Sequence, residues 1–213
     1  MIRKYEVLKK IEDLGVIAVL RSKSEEQAEK VVNSCMKGGI NVIEITFSVP
    51  GADKVISNLK TKLAGEDIIL GAGTVLDACT ARLAILAGAE FIVAPTFDKE
   101  VALMCNQYGI PYMPGCMTVN EIAEAMKYGV DVVKLFPGSE YKIGFIKAIK
   151  APLSNVNVMV TGGVSIDNTQ DWIRGGAFAV GVGGNLTKVE NENYDAIVDV
   201  AKRYKEEVIS ARK

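Results

Sequence analysis

The sequence contains no histidine in 213 residues. That removes every Ser-His-Asp and Cys-His mechanism and every His-ligated metal centre. Cysteine is sparse: Cys35, Cys79, Cys105 and Cys116 lie far apart and form no C-x-x-C pair. They read as reduced thiols of a cytosolic protein rather than a disulfide framework. Net charge is nearly absent, because 25 Lys+Arg offset 26 Asp+Glu and leave −1, with no basic block. A nucleic-acid partner is therefore not expected. No apolar run approaches the roughly 20 residues of a membrane span. The start, Met1-Ile2-Arg3-Lys4-Tyr5-Glu6, lacks the apolar core of a signal peptide. A cytoplasmic protein with no membrane partner is the expectation. Low-complexity segments, linkers and jumps in composition are missing too, so residues 1–213 read as one domain.

What is present is an alternation. Short β-branched runs end in Gly, Pro, Ser or Thr, and amphipathic stretches follow. The runs are 16–20, 42–47, 68–75, 91–95, 112–115, 132–136, 157–163 and 179–184. Helical patterns follow at 24–38, 51–63, 77–87, 98–107, 118–128, 141–149, 166–174 and 191–211. Ser24, Asp77, Asp98 and Thr118 stand where helix caps belong, and Thr118 with Glu121 has capping-box spacing. Glycines close several helices, among them Gly88, Gly109 and Gly129. Eight β-then-α units favour a single (β/α)8 barrel over an open doubly wound sheet, which has fewer strands at this length. The continuous apolar runs suit buried parallel strands.

Two of those runs carry a charge. Glu44 sits in Val42-Ile43-Glu44-Ile45-Thr46-Phe47, and Lys134 in Val132-Val133-Lys134-Leu135-Phe136. Side chains alternate across a strand, so Glu44 and Thr46 share the face opposite Ile43, Ile45 and Phe47. The larger apolar face packs on helices, which turns Glu44 into the barrel. The same alternation puts Lys134 on one face with Val132 and Phe136, but that strand does not discriminate its faces by polarity, so whether this face turns inward stays open. Isolated buried charges are costly, so each needs a partner or a shifted pKa. One reading is a structural Lys134–Glu44 salt bridge. The other is an amine nucleophile with a carboxylate acid/base beside it, placed near strand ends where barrel active sites lie. A free lysine, with a pKa of about 10.4, is neutral in roughly 1 of 2,500 molecules at pH 7. An apolar pocket raises that fraction, while an ionised Glu44 opposes it.

Glycine pairs end the seventh and eighth runs: Thr161-Gly162-Gly163 and Gly181-Val182-Gly183-Gly184-Asn185. Barrels often bind phosphate there through backbone N–H groups. Gly71-Ala72-Gly73-Thr74 adds donors but does not complete a dinucleotide fingerprint, since Leu76 occupies its sixth position. Pro95 and Thr96, with Pro114 and Gly115, could line the same mouth. Trp172 and the methionines 104, 113, 117 and 126 read as packing. Asp167, Asp171 and the stretch 202–207 read as solvated helix faces. No D-x-D motif ends a strand, so no metal site is expected.

Together these motifs resemble the 2-keto-3-deoxy-6-phosphogluconate (KDPG) aldolase / 4-hydroxy-2-oxoglutarate (KHG) aldolase family over about residues 10–205. The resemblance is carried by Val16-Ile17-Ala18-Val19-Leu20-Arg21, Ile43-Glu44-Ile45-Thr46 and Gly71-Ala72-Gly73-Thr74-Val75. It continues through Phe91-Ile92-Val93-Ala94-Pro95, Val133-Lys134-Leu135-Phe136-Pro137, Thr161-Gly162-Gly163-Val164 and Gly181-Val182-Gly183-Gly184. It implies a class I pyruvate aldolase on a (β/α)8 barrel, a homotrimer, with no metal and no cofactor. Lys134 then matches the Schiff-base lysine and Glu44 the proton-transfer residue. Thr74 and Pro95 match the pyruvate site. Gly162, Gly163 and Gly184 match the phosphate-binding backbone. Thr161 matches the position where threonine goes with the gluconate sugar and valine with the galactonate analogue. The chain departs from the family in two places. Phe47-Ser48-Val49 stands, as in some members, where many carry the arginine that holds the pyruvate carboxylate, and Arg21 is expected to take over. Asn185 replaces a serine, and its amide is expected to donate to phosphate. The activity expected is KDPG cleavage to pyruvate and glyceraldehyde 3-phosphate. The alternatives are KHG or 2-keto-3-deoxy-6-phosphogalactonate cleavage, a barrel isomerase, or a non-catalytic phosphosugar-binding barrel.

Overall fold

Each of the eight apolar runs forms a strand in the computed structural model, which describes residues 2–189 and 191–213. The strands are β1 (Val16–Leu20), β2 (Val42–Thr46), β3 (Ile69–Gly73) and β4 (Ile92–Val93). After them come β5 (Tyr112–Met113 and Gly115–Cys116, split at Pro114), β6 (Val132–Leu135), β7 (Asn157–Thr161) and β8 (Ala179–Val182). Proline has no N–H to give the ladder, which explains the split. Every pairing is parallel. The first half of β5 pairs with β4 and the second half with β6. Across the break, Gly115 N–H donates to Ala94 O at 3.0 Å and Lys134 N–H donates to Pro114 O at 2.8 Å. The ring therefore closes, and the molecule is a (β/α)8 barrel rather than an open sheet.

Alternation sorts the strand residues into two apolar regions. Ile43, Ile45, Leu70, Val133, Val160 and Val182 belong to the layer between strands and helices. Ile17, Val42, Ile69, Val93, Val132, Met159 and Ala179 form a second, interior cluster. Glu44 and Thr46 share the face of Val42, and Lys134 shares that of Val132. The inward orientation read for Glu44 is what the packing shows, and the packing decides the same for Lys134, which the pattern left open.

The helices are α1 (Arg3–Leu14), α2 (Glu25–Lys37), α3 (Ala52–Lys62), α4 (Ala78–Leu86) and α5 (Lys99–Tyr108). They continue with α6 (Val119–Lys127), α7 (Gly144–Lys150), α8 (Ile166–Arg174), α9 (Gly184–Thr187) and α10 (Asp195–Ala211). The expected caps form: Ser24, Asp77 and Asp98 accept backbone protons from Gln27, Thr80 and Val101, and Thr118 with Glu121 makes a capping box. Two expected stretches start later than the pattern suggests. The 141–149 stretch begins at Gly144, after a 3-10 turn over Gly138–Glu140, and the 191–211 stretch begins at Asp195.

Helix α1 is an addition to the expected alternation. Only Val7 and Ile11 of its twelve residues are buried, and both enter the interior cluster. It closes the N-terminal end of the barrel. Ion pairs Arg3–Glu90, Lys4–Asp131 and Lys10–Asp67 tie it to residues just ahead of β4, β6 and β3. Two side chains differ from expectation. Met117 is exposed at the barrel mouth instead of filling the core, while Tyr204 lies fully buried inside the charged stretch 202–207. Tyr204 falls on the buried stripe of α10 with Ile197, Ala201 and Val208, at helical spacing.

Candidate active site

Glu44 on β2 and Lys134 on β6 stand four strands apart whichever way the ring is followed. They face each other across the barrel axis. Both are buried, with 1% and 6% of their surface exposed. Lys134 opens into a cavity of about 270 Å³ at the C-terminal ends of the strands. Arg21, Thr74 and Pro95, which follow β1, β3 and β4, line one side of it. Thr161, Gly162 and Gly163 line it from β7 and its loop, and Gly184 and Asn185 from beyond β8. Glu44 is off this lining, and so are Thr96, Pro114 and Gly115, which the sequence had also set at the mouth. The Glu44 carboxyl lies against Gly73, the residue before Thr74.

No ion pair joins Glu44 to Lys134, and Glu44 Oε2 is buried without a hydrogen-bond partner. The structural salt bridge is therefore not formed. Burial pushes the Glu44 carboxyl above its ordinary range, and the Lys134 and Arg21 charges only partly oppose this. Burial likewise pulls the Lys134 amine below its ordinary range; Glu44 opposes that and Arg21 adds to it. Both groups shift toward their neutral forms, as desolvation requires. The lysine Nζ lies 4.6 Å from the centre of the Phe136 ring. A ring face there also suits the positive charge of a protonated imine.

Thr74 adopts φ 58°. A β-branched residue in the left-handed region is costly, by about 1–2 kcal/mol, and such strain gathers at functional sites. It turns the chain so that Thr74 faces the cavity beside Gly73. Gly162 and Gly163 hold φ 90° and 77°, which only glycine adopts freely. A Cβ on Gly163 would come within 2.8 Å of Ser139 Cβ, so the loop after β6 packs directly on this turn. Asn185 Nδ2 donates to Val164 O at 2.8 Å, which links the loops after β7 and β8 and uses one of the amide's two protons. Thr161 Oγ1 is buried without a partner.

At Ser48, where the resemblance leads to an expected arginine, two hydroxyls meet. Thr46 Oγ1 and Ser48 Oγ are 2.9 Å apart, and Thr46 donates to Leu20 O at 3.2 Å. Arg21 and Lys134 are the cations lining the cavity. Arg21 is exposed, and its Nη1 would stand 3.4 Å from a Cβ on Gly183, so it reaches toward the β8 side of the mouth. Val19 and Val164 also line the cavity, although neither was singled out as a site residue. For Val19 the signal was available: it shares the inward face of Ile17.

A desolvated lysine at the mouth of a closed barrel, with a carboxyl held across the axis, is an arrangement suited to amine-nucleophile chemistry. A family model described as KDPG and KHG aldolase matches residues 7–200. The chain belongs to that family, and it is an aldolase, a carbon–carbon lyase. It is 33% identical over 174 residues to the 2-dehydro-3-deoxy-phosphogluconate aldolase of Treponema pallidum, covering 81% of this chain and 80% of that one. It is 32% identical to the 2-dehydro-3-deoxy-6-phosphogalactonate aldolase of Escherichia coli, over 81% and 84% of the two chains. A crystal structure of KDPG aldolase from Legionella pneumophila, with pyruvate captured as a covalent carbinolamine, superposes with a TM-score of 0.85 at 27% identity. That match covers 92% of this chain and 96% of the other.

Proposed function

We propose that this aldolase cleaves 2-keto-3-deoxy-6-phosphogluconate to pyruvate and glyceraldehyde 3-phosphate through an imine on Lys134. The observation that carries this is the buried, unpaired amine of Lys134 opening into the cavity, opposite a buried and unpaired carboxyl. Neutral Nζ attacks the C2 ketone; the carbinolamine hydroxyl takes a proton from solvent and leaves as water, and a protonated imine remains. Glu44 accepts the C4 hydroxyl proton, directly or through water. The C3–C4 bond breaks and its electrons move to the imine nitrogen. The aldehyde departs and an enamine remains. Glu44 returns the proton to C3, and water then releases pyruvate and the free amine. One carboxyl serves both proton steps because they occur in sequence at adjacent carbons. The imine is the electron sink, so the chemistry calls for no cofactor.

In this reading Arg21 holds the pyruvate carboxylate with Thr74 and Pro95 around it. Gly162, Gly163 and Gly184 direct backbone N–H groups at the phosphate, and the second Asn185 proton is available to it. The choice of the gluconate sugar over its galactonate epimer rests on the family resemblance at Thr161, whose buried hydroxyl is without a partner. Comparing kcat/KM on KDPG, its galactonate epimer and KHG tests the choice; a higher value on either competitor overturns it. Incubation with pyruvate and borohydride, followed by peptide mass mapping, tests the imine. A stable adduct on Lys134 is expected, and no adduct, or one on another lysine, refutes the mechanism.

The functional unit is a cytoplasmic homotrimer. Leu83 and Leu86 on α4, and Leu103 and Tyr108 on α5, are exposed large apolar side chains on two helices that pack together, which suits contact with a second copy. Leu86→Glu is expected to shift sedimentation from trimer to monomer; a native chain that sediments as a monomer refutes this assignment.

A further inference from the structure

Gly73 ends β3 with no left-handed backbone angle. Conformation therefore does not demand glycine there, yet space does. A Cβ built on Gly73 would stand 2.5 Å from the carboxyl carbon of Glu44 and 2.6 Å from its Cγ, and closer still to Oε1. Real Cβ atoms do not approach other atoms so closely. The volume that any other residue would fill at position 73 is occupied by the Glu44 carboxyl.

The alternatives open to that carboxyl are few. The inward neighbour of Glu44 in register is Gly71, and its side-chain space is taken by the Phe91 ring, which a Cβ there would overlap. Thr46, next along the same face of β2, is buried and bonded to Leu20 O. The remaining unfilled volume is the cavity, where Lys134 and Arg21 carry the cationic groups. A carboxyl expelled from the slot moves toward them.

We infer that Gly73 is a positioning residue, whose missing side chain forms a slot that holds the Glu44 carboxyl back from Lys134. The inference rests on the imine reading above and adds to it the reason why two opposite charges in one barrel do not pair. An ion pair would hold the amine as an ammonium and take the base away from the sugar hydroxyl. The slot prevents both while keeping the carboxyl at the wall beside Thr74.

The test is Gly73→Ala, alone and in a Glu44→Ala background, read by pyruvate–borohydride labelling of Lys134 across pH and by kcat and KM. Gly73→Ala is expected to move the labelling midpoint to higher pH and to lower kcat at least tenfold, with a smaller change in KM. In the Glu44→Ala background the slot is empty, so Gly73→Ala should leave the labelling profile where Glu44→Ala alone puts it. If Gly73→Ala does not fold alone, recovery of folding in the double variant supports the slot; a double variant that also fails to fold overturns it. An unshifted profile in Gly73→Ala, or an equal shift in both backgrounds, overturns the inference alone. A native chain with no label on Lys134 removes the imine reading and this inference with it.

Discussion

Replacing Glu44 by glutamine separates the two duties assigned to that carboxyl. The amide has the same shape, so it fits the space beside Gly73 without disturbing β3. It cannot accept the C4 hydroxyl proton or return one to C3. General acid–base catalysis contributes about a hundredfold to ten-thousandfold, and kcat should fall by at least the lower figure, equivalent to about 2.7 kcal/mol of barrier. The second effect has the opposite sense. Glu44 raises the Lys134 pKa through its charge. Its removal lets burial lower that pKa further, so more of the amine is neutral at a given pH. Labelling by pyruvate and borohydride should persist, with its midpoint at lower pH than in the native chain. Stability supplies a third readout. The native carboxyl is raised above 4.5 by burial. The contribution from this group is fully present below about 4.5 and is lost as pH rises through the raised folded value. Glutamine loses nothing over that window. The Tm advantage of Glu44→Gln over the native chain should therefore grow between pH 4 and pH 8. Near-normal turnover, or a labelling midpoint that moves upward, refutes the reasoning.

Two further substitutions probe other parts of the molecule. Arg21→Ala removes an exposed side chain, so Tm should change by no more than about 2 °C, whereas pyruvate affinity should fall about tenfold or more, as loss of a charge-assisted contact implies. Because Arg21 lowers the Lys134 pKa, labelling of Arg21→Ala should move to higher pH, opposite in sign to Glu44→Gln; an unchanged pyruvate affinity defeats the carboxylate role. Ile11→Ala opens a hole in the stopper at the N-terminal end of the barrel, where Ile11 is fully buried. A cost of about 3 kcal/mol, or a Tm fall of roughly 6–12 °C by thermal melting, is expected with Lys134 labelling retained below the transition; a fall under 2 °C shows that α1 does not close the core.

Much of the barrel was legible because parallel strands buried on both faces must be apolar throughout, and because caps and closing glycines are local chemistry. Glu44 and Lys134 stood out for the same reason: a charge inside such a run has no place unless the barrel interior uses it. Helix α1 escaped notice because its two buried residues, Val7 and Ile11, are a weak stripe in a charged segment. Only the barrel bottom they enter gives them weight. Met117 and Tyr204 were misread for a related reason: composition describes a stretch, whereas exposure is decided by which face of an element meets a neighbour.

Strand and helix periodicity, the inward side of β2, and the glycine turns after β7 and β8 were determined by the sequence alone, because each depends on residues a few positions apart; the inward side of β6, apolar on both faces but for Lys134, was set by the packing. Tertiary structure decided that the ring closes through Pro114 and that Glu44 and Lys134 lie across one axis without pairing. It also decided that the Glu44 carboxyl rests in the space left by Gly73. Those are relations between residues distant in the chain, and only the closed barrel, with its walls pressed together, sets the volumes and the dielectric that govern them.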